Sequence, residues 1–379
     1  MGLPVMNVIF SAAAQESIRR SDRSIVGMII KDATVPENNP VTIYKKKDIP
    51  STLTAANQEQ IKFALQGYVN APSKIVVYVL GSAAEDYEDA LEYFSLYRVT
   101  WLCCPTVKTD TQTDAVIAWV KEQRGRRNKV KAVLPEANTA NCEGIVNYAT
   151  TSVTIGRTID ERGIVGIGKA GSTKVGDATY TAEQYCSRIA GILAGTPQKY
   201  SATYAVLDEV APFKNPSDEE LDEAIDAGKF MLYYDGEKVK VARAVNSLTT
   251  ITEGKAEPWK KIKVVETMDM IHDDLVLLAE DNYIGKYVNS YDNKCLLLSA
   301  IKSYFDEIGR SGLIQDYTVD FDVDAIRDYI VENKGVSRED AEAMKDADVK
   351  KQYTDEKVFM AATITVVDVM EDITLQITV

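Results

Sequence analysis

Residues 74–80 read KIVVYVL, a continuous apolar stretch that decides the class of fold. A run of this kind is typical of a parallel strand that is buried on both of its faces. Helical patterns flank it at residues 56–68 and 84–96, where apolar side chains recur every three or four positions. Helices and strands that alternate in this way predict an open α/β sheet.

The same alternation continues on both sides of this strand. Further strand patterns lie at 24–30, 41–44, 99–104, 129–134 and 152–155, and further helix patterns at 111–124 and 142–149. Thr181 and Gln184 form a capping-box pair that predicts the start of another helix. The dipeptide Asp235-Gly236 lies between two short strand patterns and predicts a hairpin turn.

The last stretch, residues 358–379, reads VFMAATITVVDVMEDITLQITV and contains two strand patterns, 358–367 and 373–379. In the second pattern apolar and polar side chains alternate, which is typical of a half-buried strand. Its apolar face consists of Ile373, Leu375, Ile377 and Val379. A strand without a partner exposes a row of unpaired backbone groups. We therefore expect this tail to pair with a sheet in another subunit.

A second isolated strand pattern lies near the start of the sequence, at residues 5–10. It consists of Val5, Met6, Asn7, Val8, Ile9 and Phe10. Small and polar residues follow up to residue 21 and offer no hairpin partner. Chain ends fray unless something ties them down, so we expect this segment to act as a second arm.

The region after residue 253 has a different pattern, that of a smaller α+β domain. A polar, glycine-containing stretch at 253–257 marks the expected boundary. Helical patterns follow, and the highly charged residues 337–351 predict an exposed helix. The sequence thus predicts an N-terminal arm at 1–20, an α/β domain at 21–255, an α+β domain at 256–367 and a C-terminal arm strand at 368–379.

The composition excludes several classes of protein. A formal net charge of -14 disfavours binding to nucleic acid or to an anionic membrane surface, because both would be repelled. No apolar run approaches the roughly 18–20 residues of a membrane span, and no signal peptide is recognisable. The five cysteines are Cys103, Cys104, Cys142, Cys186 and Cys295. Their odd number and the lack of a CxxC motif predict reduced, packed thiols in a cytoplasm, without disulfides or zinc.

Two motifs have the residue types of catalytic or binding sites. Residues 166–171 match GxGxxG, but phosphate binding requires that such a loop opens directly into a helix. Turn-forming residues follow at 172–177, so we expect a flexible glycine-rich loop. The single histidine, His272, lies in a predicted helix beside two aspartates, and no GxSxG elbow accompanies it. We expect neither a catalytic triad nor a cofactor or metal site.

Two basic patches remain in this acidic chain. The first contains residues 124–127 (RGRR) with Lys129 and Lys131, and the second contains Lys255, Lys260, Lys261 and Lys263. Solvated surface is the simpler interpretation of both patches. The alternative is that they bind an acidic protein partner.

Several stretches resemble the contractile phage tail sheath proteins. The resemblance is carried by YTAEQYCSRIAGILAGTP at 180–197 with YAVL at 204–207, by KAVLPEANTANCEGIVNYAT at 131–150, and by ETMDMIHDDL and YIGKYVNS within 266–290. It covers nearly the whole chain. The chain is similar to the compact sheaths of phages and phage-like particles of Gram-positive bacteria.

The resemblance implies a structural polymer and no enzyme. The implied fold is a non-catalytic, subtilisin-like open α/β domain facing outward, with a smaller tube-facing α+β domain. Subunits are expected to stack as hexameric rings around a tail tube and to contract, driving the tube through a cell envelope. Expected partners are other copies of the chain, the tail tube protein, and baseplate and tail terminator proteins. The expected location is the virion tail, after assembly in the host cytoplasm.

The resemblance also assigns roles to particular segments. The two arms are expected to join sheets in the C-terminal domains of neighbouring subunits. The expected acceptor strand carries Val358, Met360, Ala362, Ile364 and Val366. The candidate tube-contact residues are Arg338, Lys345, Lys350 and Lys351.

Two alternatives stay open. The chain is alternatively the sheath of a phage-like bacteriocin or of a contractile secretion machine, which sequence does not separate from a phage. An α/β hydrolase or nucleotide-binding enzyme is the alternative of another class. The single histidine and the interrupted glycine motif argue against that enzyme.

Overall fold

The computed structural model describes residues 23–126, 128–159, 165–167, 173–252 and 254–378. The predicted N-terminal arm at residues 5–10, the glycines of the loop beyond residue 167, and Val379 lie outside this range. The described residues divide into two compact units. The first contains residues 22–269 together with 368–379, and the second contains residues 270–367.

The first unit contains most of the elements. In chain order they are β1 (Ile25–Asp32), β2 (Val41–Ile43), a 3-10 turn (Lys46–Asp48), α1 (Ala55–Gln66), β3 (Lys74–Gly81), α2 (Glu88–Leu96), β4 (Trp101–Cys103), α3 (Thr113–Gly125), β5 (Lys131–Pro135), β6 (Ile145–Tyr148), β7 (Ser152–Ile159), β8 (Val165–Ile167), β9 (Thr173–Thr181), α4 (Ala182–Ala194), α5 (Asp218–Asp226), β10 (Lys229–Phe230), β11 (Leu232–Tyr234), β12 (Val239–Val241) and a 3-10 turn (Glu257–Lys260). Helix α6 (Ile262–Asn282) begins in the first unit and ends in the second.

Seven strands form the main sheet, in the order β10-β6-β5-β4-β1-β3-β2. All neighbours are parallel except β2, which runs antiparallel to β3 at the edge. This arrangement confirms the α/β class of fold that the sequence predicted. Smaller antiparallel sheets are formed by β11 with β12 and by β8, β7 and β9. In the β11–β12 hairpin Gly236 has a φ of 99°, a conformation that glycine adopts without steric cost.

Strand β3 explains why the main sheet is covered on both faces. Ile75, Val77 and Val79 point into one apolar core, which also contains buried side chains of α1 and α4. Val76 and Leu80 point into a second core, with buried side chains of α2 and α3. The continuous apolar sequence of this strand therefore has a direct cause, because alternate residues of one strand fill two different cores.

Two local predictions were wrong. Residues 142–149, predicted as a short helix, contain strand β6, which pairs in parallel with β5. All four residues of β6 are buried, including the polar Asn147, and a buried stretch this short fits a strand and a helix equally well. Residues 172–177, predicted as a turn, include the start of β9, which pairs with β7. The glycine motif is therefore partly strand, since Gly166 of β8 pairs with Thr158.

The second unit is a small α+β assembly. Its elements are the end of α6, then α7 (Tyr291–Arg310), β13 (Ile314–Phe321), α8 (Val323–Lys334), α9 (Arg338–Ala343), α10 (Asp346–Val349) and β14 (Met360–Val366). Tyr304, Phe305 and Ile308 of α7 are buried in one core with Phe321 of β13 and Ile326 of α8. The two compact units meet between Asp269 and Met270, inside α6. The predicted domain boundary at 253–257 stays a prediction.

Residues 337–351 form two short helices where a single exposed helix was predicted. The backbone is extended at Met344, between α9 and α10. Arg327 of α8 donates to the carbonyl oxygens of Ala341 and Met344, both at 3.2 Å. These bonds satisfy carbonyl groups that the end of a helix leaves open. The region is also not fully exposed, because Ala341 and Val349 are buried.

The first basic patch contains a buried ion-pair network. Arg124 of α3 donates from Nη1 and Nη2 to the two carboxylate oxygens of Asp269 at 2.8 and 3.0 Å, and from Nε to Glu143 at 3.1 Å. Lys131 of β5 contacts Asp269 and Glu266, both at 3.1 Å. The side chains of Arg124 and Lys131 are only 5% and 2% exposed. Solvated surface was therefore the wrong interpretation for these two residues, which join α3, β5 and α6.

The network changes the acid–base properties of its carboxyl groups. Burial raises the pKa of Asp269, but Lys131 and Arg124 outweigh this effect and hold the pKa below its usual range. The pKa of Glu143 is lowered in the same way, by Arg124 and by Lys255 at 2.8 Å, against the effect of burial. Both groups therefore carry their negative charge at neutral pH, where the buried cations require it.

Removing the shared carboxylate tests the network directly. We expect Asp269→Ala to lower the free energy of unfolding by about 3–5 kcal/mol, because it leaves two buried cations without their main partner. Urea denaturation followed by circular dichroism measures this loss. Arg126→Ala is the matched control, since Arg126 pairs with Glu122 while both side chains are more than half exposed. The control is expected to cost no more than about 1 kcal/mol. Equal losses in the two variants would contradict a stabilising role of the network.

The network also predicts a pH dependence of stability. A carboxyl group whose pKa is lowered by folding stabilises the native state above its usual pKa, and this contribution is lost as the pH falls through the lowered value. The usual values are 3.8 for Asp269 and 4.5 for Glu143. We expect the stability gap between the wild type and Asp269→Asn to be constant near neutral pH and to shrink as the pH falls below about 4. Unfolding free energies measured across this range would reveal a constant gap if the account is wrong.

Candidate assembly surface

Strand β14 leaves one of its edges open. It pairs antiparallel with β13, where Met360 lies opposite Phe321 and Ile364 opposite Tyr317. Within the described residues no strand pairs with its other edge. Strand 358–367 was predicted from the sequence, whereas its partner β13 was not. An open edge is a template for pairing with another chain.

The predicted acceptor residues lie along this strand. Met360, Ile364 and Val366 are half-buried and pack against the core of the second unit. Ala362 is exposed, and Val358 precedes the strand with 41% of its surface accessible. One side of β14 thus contributes to a core, and a strand added at the open edge would extend that apolar surface.

The tail at residues 368–378 has no regular secondary structure in the single chain. Its predicted apolar face is exposed, with Ile373, Leu375 and Ile377 at 80%, 77% and 73%. The strand predicted from the alternation is therefore absent from the isolated subunit, because a strand requires a partner for its backbone groups. Pairing with a neighbouring subunit stays a prediction.

The acidic residues of the tail, by contrast, are bound. We call residues 368–372 the link, and Thr203, Arg243 and Lys261 the clamp. Glu371 accepts a hydrogen bond from the Thr203 hydroxyl at 2.6 Å and contacts Lys261 at 3.2 Å and Arg243 at 3.5 Å. Its side chain is only 6% exposed. Lys261 also contacts Asp368, and Arg243 contacts Asp372, both at 2.5 Å.

The backbone of the first unit holds the clamp in place. Val245 and Lys261 form an isolated antiparallel bridge, and the N–H of Ile262 donates to the carbonyl of Ala244 at 3.1 Å. This pairing brings the segment after β12, which carries Arg243, beside the residue that precedes α6. The Thr203 hydroxyl accepts from the N–H of Ala244 at 3.0 Å, which orients its proton toward Glu371.

The charges of the clamp match those of the link. Burial alone would lower the pKa of Lys261, but its bonds to Asp368 and Glu371 outweigh burial and raise it. The Lys261 ammonium is therefore charged throughout the neutral range. Of the second basic patch, Lys261 binds an acidic segment of the same chain, whereas Lys255 and Lys260 pair with Glu143 and Glu257. Binding of an acidic protein partner by this patch stays a prediction. Sequence reasoning missed Thr203 and Arg243, because no local motif marks either residue.

The structure also describes the single histidine and the five cysteines. His272 lies beside its sequence neighbour Asp273, with Nδ1 of the ring 2.9 Å from the carboxylate Oδ1. The five cysteines are unpaired thiols, and four of them are buried. Burial raises the pKa of Cys103 to about 12, which keeps it protonated and unreactive. In the described parts of the chain no cluster of His, Cys, Asp and Glu side chains is suited to hold a metal ion.

The candidate tube-contact residues occupy α9, α10 and their flanks. Arg338 pairs with Asp328 and Lys350 pairs with Asp320, both at 2.6 Å. Lys345 and Lys351 are exposed. The structure thus leaves these cations at the surface of the second unit, and their contact with a tube stays a prediction. No helix of the described residues has the length and apolar character needed to cross a bilayer.

Comparison with known proteins identifies the family. The phage tail sheath protein central domain matches residues 81–247, and the phage tail sheath C-terminal domain matches residues 254–379. The curated tail sheath protein of Clostridium phage phiCD119 is 31% identical over an alignment 385 positions long, which covers 99% of each chain.

Solved structures share the fold at low identity. A sheath tail protein of Desulfitobacterium hafniense is 18% identical, with a TM-score of 0.62 over 84% of this chain and 94% of that one. The contracted helical sheath of the anti-feeding prophage is 14% identical, with a TM-score of 0.65 over 100% of this chain and 99% of that one. With two family domains matched and a full-length relative above 30% identity, the chain belongs to the phage tail sheath protein family, and the prediction of a structural sheath subunit is confirmed.

Proposed function

We propose that this sheath subunit polymerises by exchanging strands, with residues 373–379 of one copy added to the open edge of β14 in another. The observation that carries the proposal is the presence of both halves of such a contact in one chain. The edge of β14 is unpaired within the described residues, and the tail exposes an alternating apolar face.

The two halves match in length and in pattern. Strand β14 has seven residues, and the tail pattern 373–379 has the same length. Ile373, Leu375 and Ile377 would lie on the side where Met360 and Ile364 meet the core. Each buried aliphatic side chain contributes about 1.5–3 kcal/mol, and each net backbone hydrogen bond about 1 kcal/mol. A contact that joins two different surfaces of one chain is open-ended, so it produces polymers.

Family membership supports the rest of the proposal. Subunits stack as rings of six around a tail tube, and the resulting cylinder contracts to drive the tube through a cell envelope. The α/β unit is a subtilisin-like, non-catalytic domain that faces outward. The second unit faces the tube, which it contacts through Arg338, Lys345, Lys350 and Lys351. The segment Val5–Phe10 supplies the second arm.

The proposed partners are other copies of the chain, the tail tube protein, and baseplate and tail terminator proteins. The proposed location is the tail of a virion or phage-like particle, after assembly in the host cytoplasm. The likeness to the anti-feeding prophage sheath supports one alternative within the same class, the sheath of a phage-like particle that is not a virus. A catalytic role is not proposed, because the family to which the chain belongs is structural.

Truncation after Asp372 tests the strand exchange. Negative-stain electron microscopy of the purified wild type is expected to reveal long tubular polymers. The truncated protein is expected to remain soluble and folded but to form no tubes, because the strand that links the subunits is gone. Circular dichroism and thermal unfolding provide the control for folding.

Two results would count against the proposal. Strictly monomeric wild-type protein at high concentration would contradict a sheath-like polymer. Tubes of unchanged length and number in the truncated protein would contradict the exchange of the C-terminal strand, while leaving the polymer itself intact.

A further inference from the structure

The tail has two possible partners of the same kind, β14 of its own chain and β14 of another copy. Folding back onto its own chain would make a hairpin, in which residues 367–372 form the connection. A connection of six residues is within the usual range between neighbouring secondary-structure elements, and the entropy lost in closing such a short loop is small. Local geometry therefore favours self-pairing.

Concentration favours self-pairing as well. A strand tethered by a short flexible link experiences an effective concentration on the order of millimolar. Free subunits at micromolar concentration would compete poorly with it. A subunit that exchanges strands therefore needs a feature that prevents the tail from closing on its own β14.

In the structure the link is bound to the clamp and does not form a hairpin turn. Three of its five residues, Asp368, Glu371 and Asp372, contact the clamp. Glu371 has Thr203, Arg243 and Lys261 as partners while its side chain is almost completely buried. Ion pairs withdrawn from solvent in this way are screened less by salt than exposed ones.

The clamp binds the link and leaves the strand pattern free. Met370 is 91% exposed, and Ile373, Leu375 and Ile377 beyond the link are exposed to at least 73%. The contacts with the clamp therefore do not bury the strand pattern of the tail. They hold the link in place and leave the apolar face beyond it accessible.

We infer that the clamp, Thr203, Arg243 and Lys261, keeps the tail from pairing with β14 of its own chain and so reserves both for other copies. This inference rests on the proposed strand exchange. The clamp competes with the hairpin because the clamp-bound link contains no turn, whereas closing the hairpin requires the link to form one. The clamp thus binds an acidic segment through the three carboxylates of Asp368, Glu371 and Asp372.

The test compares the double variant Arg243→Ala/Lys261→Ala with Lys260→Ala. Lys260 is the matched control because it is adjacent to Lys261 in sequence and pairs with Glu257, at 3.0 Å, instead of with the link. Hydrogen exchange is measured by mass spectrometry on dilute, monomeric protein. In the wild type and the control, we expect amides of 373–378 to exchange nearly without protection.

In the double variant we expect amides of 373–378 and of Met360–Val366 to become protected together, by about tenfold or more, because the tail closes on its own β14. The initial rate of polymer formation, followed by light scattering, is expected to fall by a similar factor. Tail amides that exchange equally fast in the double variant and the wild type would overturn the inference. So would a tail that is already protected in the dilute wild type.

The two proposals fail in distinguishable ways. A wild type that never polymerises, combined with the expected change in hydrogen exchange, would contradict the polymer and leave the role of the clamp standing. A double variant that polymerises at the wild-type rate with an unprotected tail would contradict the clamp alone. Thermal unfolding of the double variant, compared with Lys260→Ala, controls for loss of fold.

Discussion

A β-strand has two edges, and each edge carries backbone donors and acceptors that need partners. In this protein β13 occupies one edge of β14, and the other edge has no strand partner within the described residues. The tail has the reverse condition, because it carries the pattern of a strand and has no sheet in the single chain. The proposed assembly of the subunit depends on these two features, the open edge of β14 and the unpaired strand pattern of the tail.

The α/β unit holds the start of the tail. Its parallel sheet has an apolar core on each face, and the network of Arg124, Lys131 and Asp269 fixes α3 and β5 to the start of α6. The clamp residues Arg243 and Lys261 belong to the same unit and are held by backbone pairing. The fold of this unit therefore fixes the positions of Arg243 and Lys261, and through them the position of the link.

The sequence predicted the elements whose cause is local. The strand at 74–80 was predicted from its continuous apolar run, which the structure explains by two cores, and α4 was predicted because Thr181 and Gln184 cap its first turn. Strand β6 was mistaken for a helix because its four buried residues are too few to establish a periodicity. The clamp was beyond prediction, because Thr203 and Glu371 are distant in sequence and meet only through the fold.

The two basic patches illustrate the same limit. Both were noted from composition, yet composition does not reveal burial. Arg124 and Lys131 are internal, while Lys261 binds the tail of its own chain. The most direct test of the account is a cryo-electron microscopy map of the assembled polymer at a resolution that traces the main chain. The account predicts that residues 373–379 of one subunit run along the open edge of β14 in a neighbouring subunit. A map in which that edge is unoccupied, or is paired with the tail of the same chain, would contradict it.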